Sequence, residues 1–325
     1  MHLLIPYAAS HAEGCQAVLA TLQLPNLQKL LSRLTAQPMD TGDELSLSPP
    51  HERVLASQLG LSALDGQIAW AALQAQKDLS LADFSGAWAF VTLCHWQADK
   101  LQVSMRQIPM QDLTHAESNT LLNAMRPFFA EDGITLYPDK PGRWLAHGDA
   151  FQSVPTASPD RVCGRSLASW MPNATQASGL LRLISEMQML LYTHPLNDSR
   201  EARGALPVNA IWLSGTGALT QTPDALSRSP DSDPQAKRPQ TPAVISTLRE
   251  AALQEDWSTW AAAWQALDAT EIKAMLDAHA HGEPVQLTLC GERHAQTWLT
   301  QPQPLMRKIK SFFGTQPIQD VLEKL

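Results

Sequence analysis

The order of strand-like and helical segments constrains this chain more than any other feature. Near both ends, short apolar runs with strand composition alternate with segments of helical spacing, beginning with LLIPYA at the N-terminus. From Ala87 the pattern changes to two strand-like runs, a helix, a hairpin and a second long helix. Alternating strands and helices are typical of α/β folds, and the hairpin-bearing run is typical of an α+β unit. The sequence therefore predicts an α/β core sheet flanked by helices and interrupted by an inserted α+β subdomain.

This order also predicts the extent of the two parts. Residues 1–86 and 205–325 form the predicted core, and residues 87–204 form the predicted subdomain. Within the core, residues 220–242 contain five prolines and almost no large apolar side chains. Such a composition cannot bury enough apolar surface to order the chain, so it predicts a mobile loop.

Composition excludes several classes of function. The chain has 325 residues, 44% of them hydrophobic, and a formal net charge of −8, and no run of Lys and Arg forms a patch. A nucleic acid partner is therefore disfavoured, since phosphate binding needs a basic patch. We expect neither a signal peptide nor a membrane span, because no apolar stretch is long enough. The isolated cysteines predict buried free thiols in a reducing cytoplasm: Cys15, Cys94, Cys163 and Cys290.

Two predicted helices carry more specific signals. Thr114 stands at an N-cap with Glu117 three residues later, the spacing of a capping box in which each side chain satisfies an unpaired backbone donor. Trp257, Trp260 and Trp264 recur on one face of a later helix. This spacing predicts that the three indoles face the core, with a partner surface as the alternative.

The segment THPLNDSREARGALPVNAIWLSGTG, residues 193–217, contains the candidate ligand-binding residues. Guanidinium groups suit carboxylate and phosphate, and the backbone of a Gly-rich turn after a strand can bind an anion. The candidate anion site comprises His194, Asn197, Arg200, Arg203, Asn209, Ser214, Gly215 and Gly217. The alternative is structural: Arg200 pairs with Glu186 or Glu201, the asparagines cap turns, and the segment holds the subdomain to the core.

The same segment resembles a known family. His194, Pro195, Asn197, Arg200, Gly204 and Asn209, with the two last glycines, match a segment of the archaeal-type cofactor-independent phosphoglycerate mutases of the alkaline phosphatase superfamily. Ser214 stands where that family has Arg. The capping-box helix and the hairpin extend the resemblance over roughly residues 105–217. The whole sequence is also similar to a proteobacterial family named phosphoglycerate mutase-like or RpfE-type regulatory protein. The resemblance implies a degenerate alkaline-phosphatase-like core.

The resemblance also implies a metal site that the residues do not reproduce. Mutases of this superfamily hold two divalent metals with Asp and His clusters, and their first ligand is an Asp directly after strand one. Pro6 and Tyr7 occupy that place here, and neither offers carboxylate oxygens to a hard cation. Glu292 and His294, in CGERH, are the remaining weak metal candidates. The sequence therefore predicts no catalytic residue and no cofactor, with two Mn²⁺ or other divalent ions as the alternative.

These observations favour a non-catalytic relative of the metal-dependent phosphoglycerate mutases, a pseudoenzyme. We expect it to bind a phosphorylated small molecule or a protein partner, with regulation as one such role, and to bind neither nucleic acid nor membrane. The alternative is an active metal-dependent phosphomutase or phosphatase that acts on a small phosphorylated acid such as phosphoglycerate. A third reading is an assembly protein that docks through the 220–242 loop or the basic segment at 305–314.

Overall fold

A computed structural model describes residues 1–61, 64–79, 85–219, 241–301 and 317–325. Most of the predicted mobile loop and the whole basic segment at 305–314 lie outside these residues. Among the residues described, no helix combines the length and the apolar character that crossing a bilayer requires.

The described chain alternates short strands and helices. The strands are β1 His2–Ile5, β2 Thr35–Ala36, β3 Asp40–Thr41, β4 Trp88–Ala98, β5 Val103–Gln107, β6 Thr135–Lys140, β7 Arg143–His147, β8 Ala210–Gly217, β9 Ala243–Val244, β10 Gln286–Cys290 and β11 His294–Leu299. The α-helices are α1 Glu13–Leu19, α2 Pro25–Leu31, α3 Pro50–Gln58, α4 Trp70–Asp78, α5 His115–Glu131, α6 Pro159–Val162, α7 Ala174–Tyr192, α8 Leu196–Ala202, α9 Arg249–Leu253, α10 Trp257–Leu267, α11 Lys273–Ala280 and α12 Ile318–Leu322. A π-helical turn, Asp268–Ile272, joins α10 to α11.

The contacts divide the chain into two compact units. The first unit comprises Met1–Glu44, Pro49–Leu59 and the described residues of Pro234–Leu325. The second unit comprises Leu45–Ser48 and the described residues of Gly60–Asp233. Each unit has its own sheet and its own hydrophobic core. The predicted α/β class, with an additional α+β unit, is confirmed.

The sheet of the first unit has the order β2–β11–β10–β1–β9, with β3 also paired to β11. β1 runs parallel to both β10 and β9, whereas β11 is antiparallel to β10. The predicted first strand therefore lies inside the sheet, and Leu4 and Ile5 have no exposed surface. Strands buried on both faces read as continuous apolar runs, which explains the sequence LLI.

The turn after β1 is held by two tryptophans of α10. Trp260 Nε1 donates to the Tyr7 carbonyl oxygen at 2.9 Å, and Trp264 Nε1 donates to the Ala8 carbonyl oxygen at 3.1 Å. Both indoles are fully buried and Trp257 is half-buried against the same core, so the predicted core face of the helix is confirmed. Tyr7 has φ 58°, a left-handed conformation that costs free energy for a side-chain-bearing residue. The two hydrogen bonds help to hold that conformation.

A buried carboxylate fixes the start of α2. Asp268 Oδ1 accepts from the Leu27 N–H at 2.7 Å, and its Oδ2 accepts from the Asn26 N–H at 3.2 Å. The N-cap residue of α2, Leu24, has no side chain that could do this. Asp268 lies in the π-helical turn, so a distant residue satisfies the free donors of the first turn of α2.

The sheet of the second unit is antiparallel throughout, with the order β5–β4–β7–β6 and with β8 also paired to β4. β8 was expected in the core with β1, and this assignment is wrong. Cys94 pairs with Ala210 and Trp88 with Gly217, so β8 belongs to the sheet of β4. A buried strand has the same apolar pattern in either sheet, so the pattern does not identify its partner.

Two long helices, α5 and α7, pack against this sheet and each other. The capping box at the start of α5 is confirmed: the Glu117 N–H donates to Thr114 Oγ1 at 3.2 Å, and the Thr114 N–H donates to Glu117 Oε2 at 2.9 Å. β6 and β7 form the predicted hairpin. All four cysteines are free as predicted, but Cys163 is only half-buried.

Candidate functional site

The residues of the candidate anion site begin at the corner between α7 and α8. His194 Nδ1 accepts from the Leu196 N–H at 3.1 Å and so starts α8. The helix ends at Ala202, and Gly204 follows its C-cap with a φ of 73°, in the left-handed region that glycine adopts without strain. The Ala205 N–H donates to the Arg200 carbonyl oxygen at 2.9 Å and caps this end of the helix. His194 and Gly204 thus set the two ends of one short helix.

The two asparagines of the segment use both halves of their amide groups. Asn197 Oδ1 accepts from the Val208 N–H at 2.9 Å, and its Nδ2 donates to the carbonyl oxygens of Val208 at 2.9 Å and Leu191 at 2.8 Å. Asn209 Oδ1 accepts from the Trp96 N–H at 2.7 Å, and its Nδ2 donates to the Trp96 carbonyl oxygen at 2.9 Å. A side-chain amide offers an acceptor oxygen and a separate donor nitrogen, and both asparagines use the two atoms to bond to the backbone.

Replacing Asn197 with Ala should lower the free energy of unfolding by about 2 kcal/mol, because buried backbone groups at Val208 and Leu191 lose their hydrogen bonds. Urea denaturation followed by circular dichroism would measure the change. Asn123→Ala is the matched control, since Asn123 is exposed on α5 and its amide oxygen accepts from exposed Arg126. A control that loses as much stability as Asn197→Ala would contradict the assigned role.

Arg200 is fully buried, and its partners differ from those predicted. Its Nε donates to the Leu206 carbonyl oxygen at 2.9 Å, and its Nη1 donates to the Asp112 carbonyl oxygen at 2.8 Å. The nearest carboxylate is Glu117, with Oε1 at 3.6 Å from Nη1. The expected pairing of Arg200 with Glu186 or Glu201 is wrong. Glu186 accepts from Arg182. Arg200 instead contacts Asp112, which precedes α5, and Glu117, which lies in its first turn.

Glu117 is the centre of the charges at this corner. Its Oε1 accepts from Arg203 Nη2 at 2.6 Å, and its Oε2 accepts from the hydroxyl of Thr114 at 2.9 Å. Burial raises the pKa of Glu117, but hydrogen bonds from Thr114 and Arg203 outweigh burial and hold the pKa below its usual range. The sequence identified Glu117 as a capping residue only; its second role depends on the packing of α8 beside the start of α5.

Ser214, Gly215 and Gly217 do not form the predicted turn. They lie within β8, where Ser214 pairs with Phe90 and Gly217 pairs with Trp88. A Cβ atom at Gly215 would come within 3.0 Å of the Phe90 ring and 3.1 Å of Trp70 Cβ, so glycine permits close packing there. Asn209 precedes the first residue of β8 and Gly217 is its last residue, so these two candidates stand at opposite ends of the strand. The eight candidate residues therefore do not converge on one site, and anion binding by the group around Arg200 stays a prediction.

The weak metal candidates lie in the first unit, beyond the ends of β1 and β10. Glu292 Oε2 accepts from the Ser10 hydroxyl at 3.3 Å and from the His11 N–H at 3.2 Å. His294 Nδ1 accepts from the Gly42 N–H at 3.4 Å. Burial lowers the pKa of His294, and the charges of His11, Arg53 and Arg293 lower it further. Carboxyl ends of parallel strands are a usual place for ligands in α/β proteins.

This donor set does not fit a two-metal centre. The second carboxylate nearby, Asp40, is paired with Arg53, whose Nη2 lies 2.6 Å from Asp40 Oδ2. In the part of the chain that the structure describes, no group of three or more His, Cys, Asp or Glu side chains is placed to hold a metal ion. Two hard divalent cations need several carboxylate oxygens between them.

Comparisons with known proteins yield only distant likeness. No family model matches the sequence, and no curated protein matches it. Among solved structures, the chain is similar to the cofactor-independent phosphoglycerate mutase of Thermoplasma acidophilum DSM 1728, with 13% identity, 100% of this chain and 99% of that chain covered, and a TM-score of 0.34. It is also similar to the PH0037 protein of Pyrococcus horikoshii, with 12% identity, 92% and 87% covered, and a TM-score of 0.44.

Proposed function

We propose that this protein is a non-catalytic relative of the metal-dependent phosphoglycerate mutases, which binds a small phosphorylated acid or a protein partner in the cytoplasm. The turn after β1 is the main support. Where the resembled family places its first metal-binding Asp, this chain has Pro6 and Tyr7. The carbonyl groups of Tyr7 and Ala8 accept from the buried indoles of Trp260 and Trp264. The backbone of this turn therefore bonds to side chains of the hydrophobic core.

The hydrogen-bonded residues around Arg200 support the same proposal. The side chains of Asn197, Arg200 and Asn209 bond to backbone groups within the second unit. Residues with such internal roles persist for stability even when catalytic groups are absent, because buried donors and acceptors need partners. A regulatory role, as the name of the similar proteobacterial family suggests, is one form that partner binding could take.

The decisive experiment is to incubate the purified full chain with Mn²⁺, remove unbound metal, and measure bound metal and hydrolysis of a generic phosphomonoester. We expect neither stoichiometric Mn²⁺ nor turnover. Stoichiometric Mn²⁺ with turnover that Glu292→Gln abolishes would instead establish the alternative, an active phosphomutase or phosphatase. Glu283→Gln is the matched control, since Glu283 is an exposed carboxylate in the same unit.

The ligand is tested by thermal denaturation in the presence of phosphorylated three-carbon acids. A ligand that binds the folded state raises the melting temperature by an amount that grows with its concentration. We expect a saturable increase with a phosphorylated acid and a smaller one with its unphosphorylated counterpart. If no member of this class changes the melting temperature, the small-molecule part of the proposal fails and the protein partner remains.

A further inference from the structure

The guanidinium group of Arg200 has unused hydrogen-bonding capacity in a buried place. Its Nε and Nη1 bond to the carbonyl oxygens of Leu206 and Asp112. Its Nη2 is also buried but has no acceptor among the described residues. Buried donors without partners are rare in folded proteins, because each loses its hydrogen bonds to water. The arrangement is therefore one that an additional acceptor would complete.

The charges around Arg200 favour an anion as that acceptor. Arg200 and Arg203 share the single carboxylate of Glu117, which lies 3.6 Å from Arg200 Nη1 and 2.6 Å from Arg203 Nη2. Burial lowers the pKa of Arg200, and the charge of Arg203 lowers it further, while Glu117 and Asp112 act in the opposite direction. A second negative group beside the two guanidinium ions would reduce their mutual repulsion.

The two arginines lie beside the N-terminus of α5, because both contact Glu117 in its first turn. α5 is a helix of 17 residues, and its N-cap, Thr114, is bonded to Glu117. The N-terminus of a helix carries partial positive charge and favours anions. Arg203 is 45% exposed, so one of the two cations can be reached from solvent while the other is buried.

We propose that Arg200 and Arg203, at the N-terminus of α5, bind one oxyanion group, a carboxylate or a phosphate. Arg200 Nη2 donates to an oxygen of this group, and Arg203 supplies the solvent-facing contact. Guanidinium groups match the planar or tetrahedral oxygens of these anions and form charge-assisted hydrogen bonds with them. This inference rests on the proposed ligand-binding function and assigns that function a place and a chemistry. Neither Ser214 nor the glycines of β8 take part.

The test uses the full chain with inorganic phosphate and with acetate, each against chloride at constant ionic strength. Isothermal titration should show saturable binding of at least one oxyanion. Arg203→Gln should weaken that binding about tenfold, the loss expected for one charge-assisted hydrogen bond. Arg126→Gln is the matched control, because Arg126 is an exposed arginine farther along α5, and it should leave the affinity unchanged. Comparison of phosphate with acetate identifies which oxyanion the site prefers.

A second measurement reports on Arg200 directly. In ¹⁵N-arginine-labelled protein, the guanidinium resonance that disappears in Arg200→Lys should shift on addition of the bound anion. If no oxyanion binds, or if binding is indifferent to Arg203→Gln and leaves this resonance unchanged, the site is refuted. Binding that is indifferent to both arginines would refute this site alone, whereas Mn²⁺-dependent turnover would refute the non-catalytic function and leave the anion contact standing.

Discussion

Replacing Glu117 with Ala is expected to lower the free energy of unfolding of the second unit by about 3–5 kcal/mol. Glu117 is the carboxylate nearest to fully buried Arg200, and it also closes the capping box with Thr114. Its removal takes away the carboxylate nearest to a buried positive charge and frees a backbone donor at the start of α5. Urea denaturation followed by circular dichroism would measure the loss. Glu186→Ala is the control, because its pair with exposed Arg182 should contribute under 1 kcal/mol.

The same carboxylate should make stability depend on acid pH. The pKa of Glu117 in the folded protein lies below its usual value, which is about 4.3 in an unfolded chain. The stabilisation is therefore fully present above that pH, and it is lost as pH falls through the lower, folded pKa. The difference in unfolding free energy between wild type and Glu117→Gln should shrink over this acid range. A difference that stays constant with pH, or a loss below 1 kcal/mol for Glu117→Ala, would contradict the assigned role.

Replacing Trp264 with Ala should destabilise the first unit by about 4 kcal/mol, because it opens a large cavity in the core. Trp264 has no exposed surface, and its Nε1 donates to the Ala8 carbonyl oxygen at 3.1 Å. The substitution therefore removes both packing and the hydrogen bond that closes the turn after β1. Thermal denaturation followed by circular dichroism would measure the effect.

Trp264→Phe separates these two contributions. The phenyl ring keeps most of the apolar volume but lacks the N–H donor, so we expect a loss of about 1–2 kcal/mol. If Trp264→Phe destabilises as strongly as Trp264→Ala, then the hydrogen bond to Ala8 matters more than packing. If both substitutions are nearly neutral, the turn after β1 does not depend on α10.

Local patterns in the sequence predicted local structure well. The capping box of Thr114 and Glu117, the hairpin of β6 and β7, and the buried face of Trp260 and Trp264 all follow from spacing within one element. These features depend on neighbours within a few residues, where helix and strand periodicities hold. The α/β class follows from the same periodicities and needs no knowledge of which strands pair.

Long-range partners could not be predicted in this way. The sequence shows that Arg200 is basic, but its partners Asp112 and Glu117 lie 88 and 83 positions earlier in the chain. Likewise, AIWLSGTG indicates a buried strand, but not that β8 continues through Gly217 beside β4. In both cases the local pattern indicates that a residue is buried or charged, but the residue or strand that it contacts depends on tertiary packing.

The pairing of β1 has a consequence for biosynthesis. His2 is bonded to Thr288, which follows it by 286 residues, and both parallel neighbours of β1 come from beyond residue 240. At about 5–20 residues per second, a ribosome needs roughly 15–60 s to make the missing partners. During that interval the apolar strand has no sheet to join. The apolar residues of β1 should therefore stay exposed in nascent chains until the strands beyond residue 240 have been made.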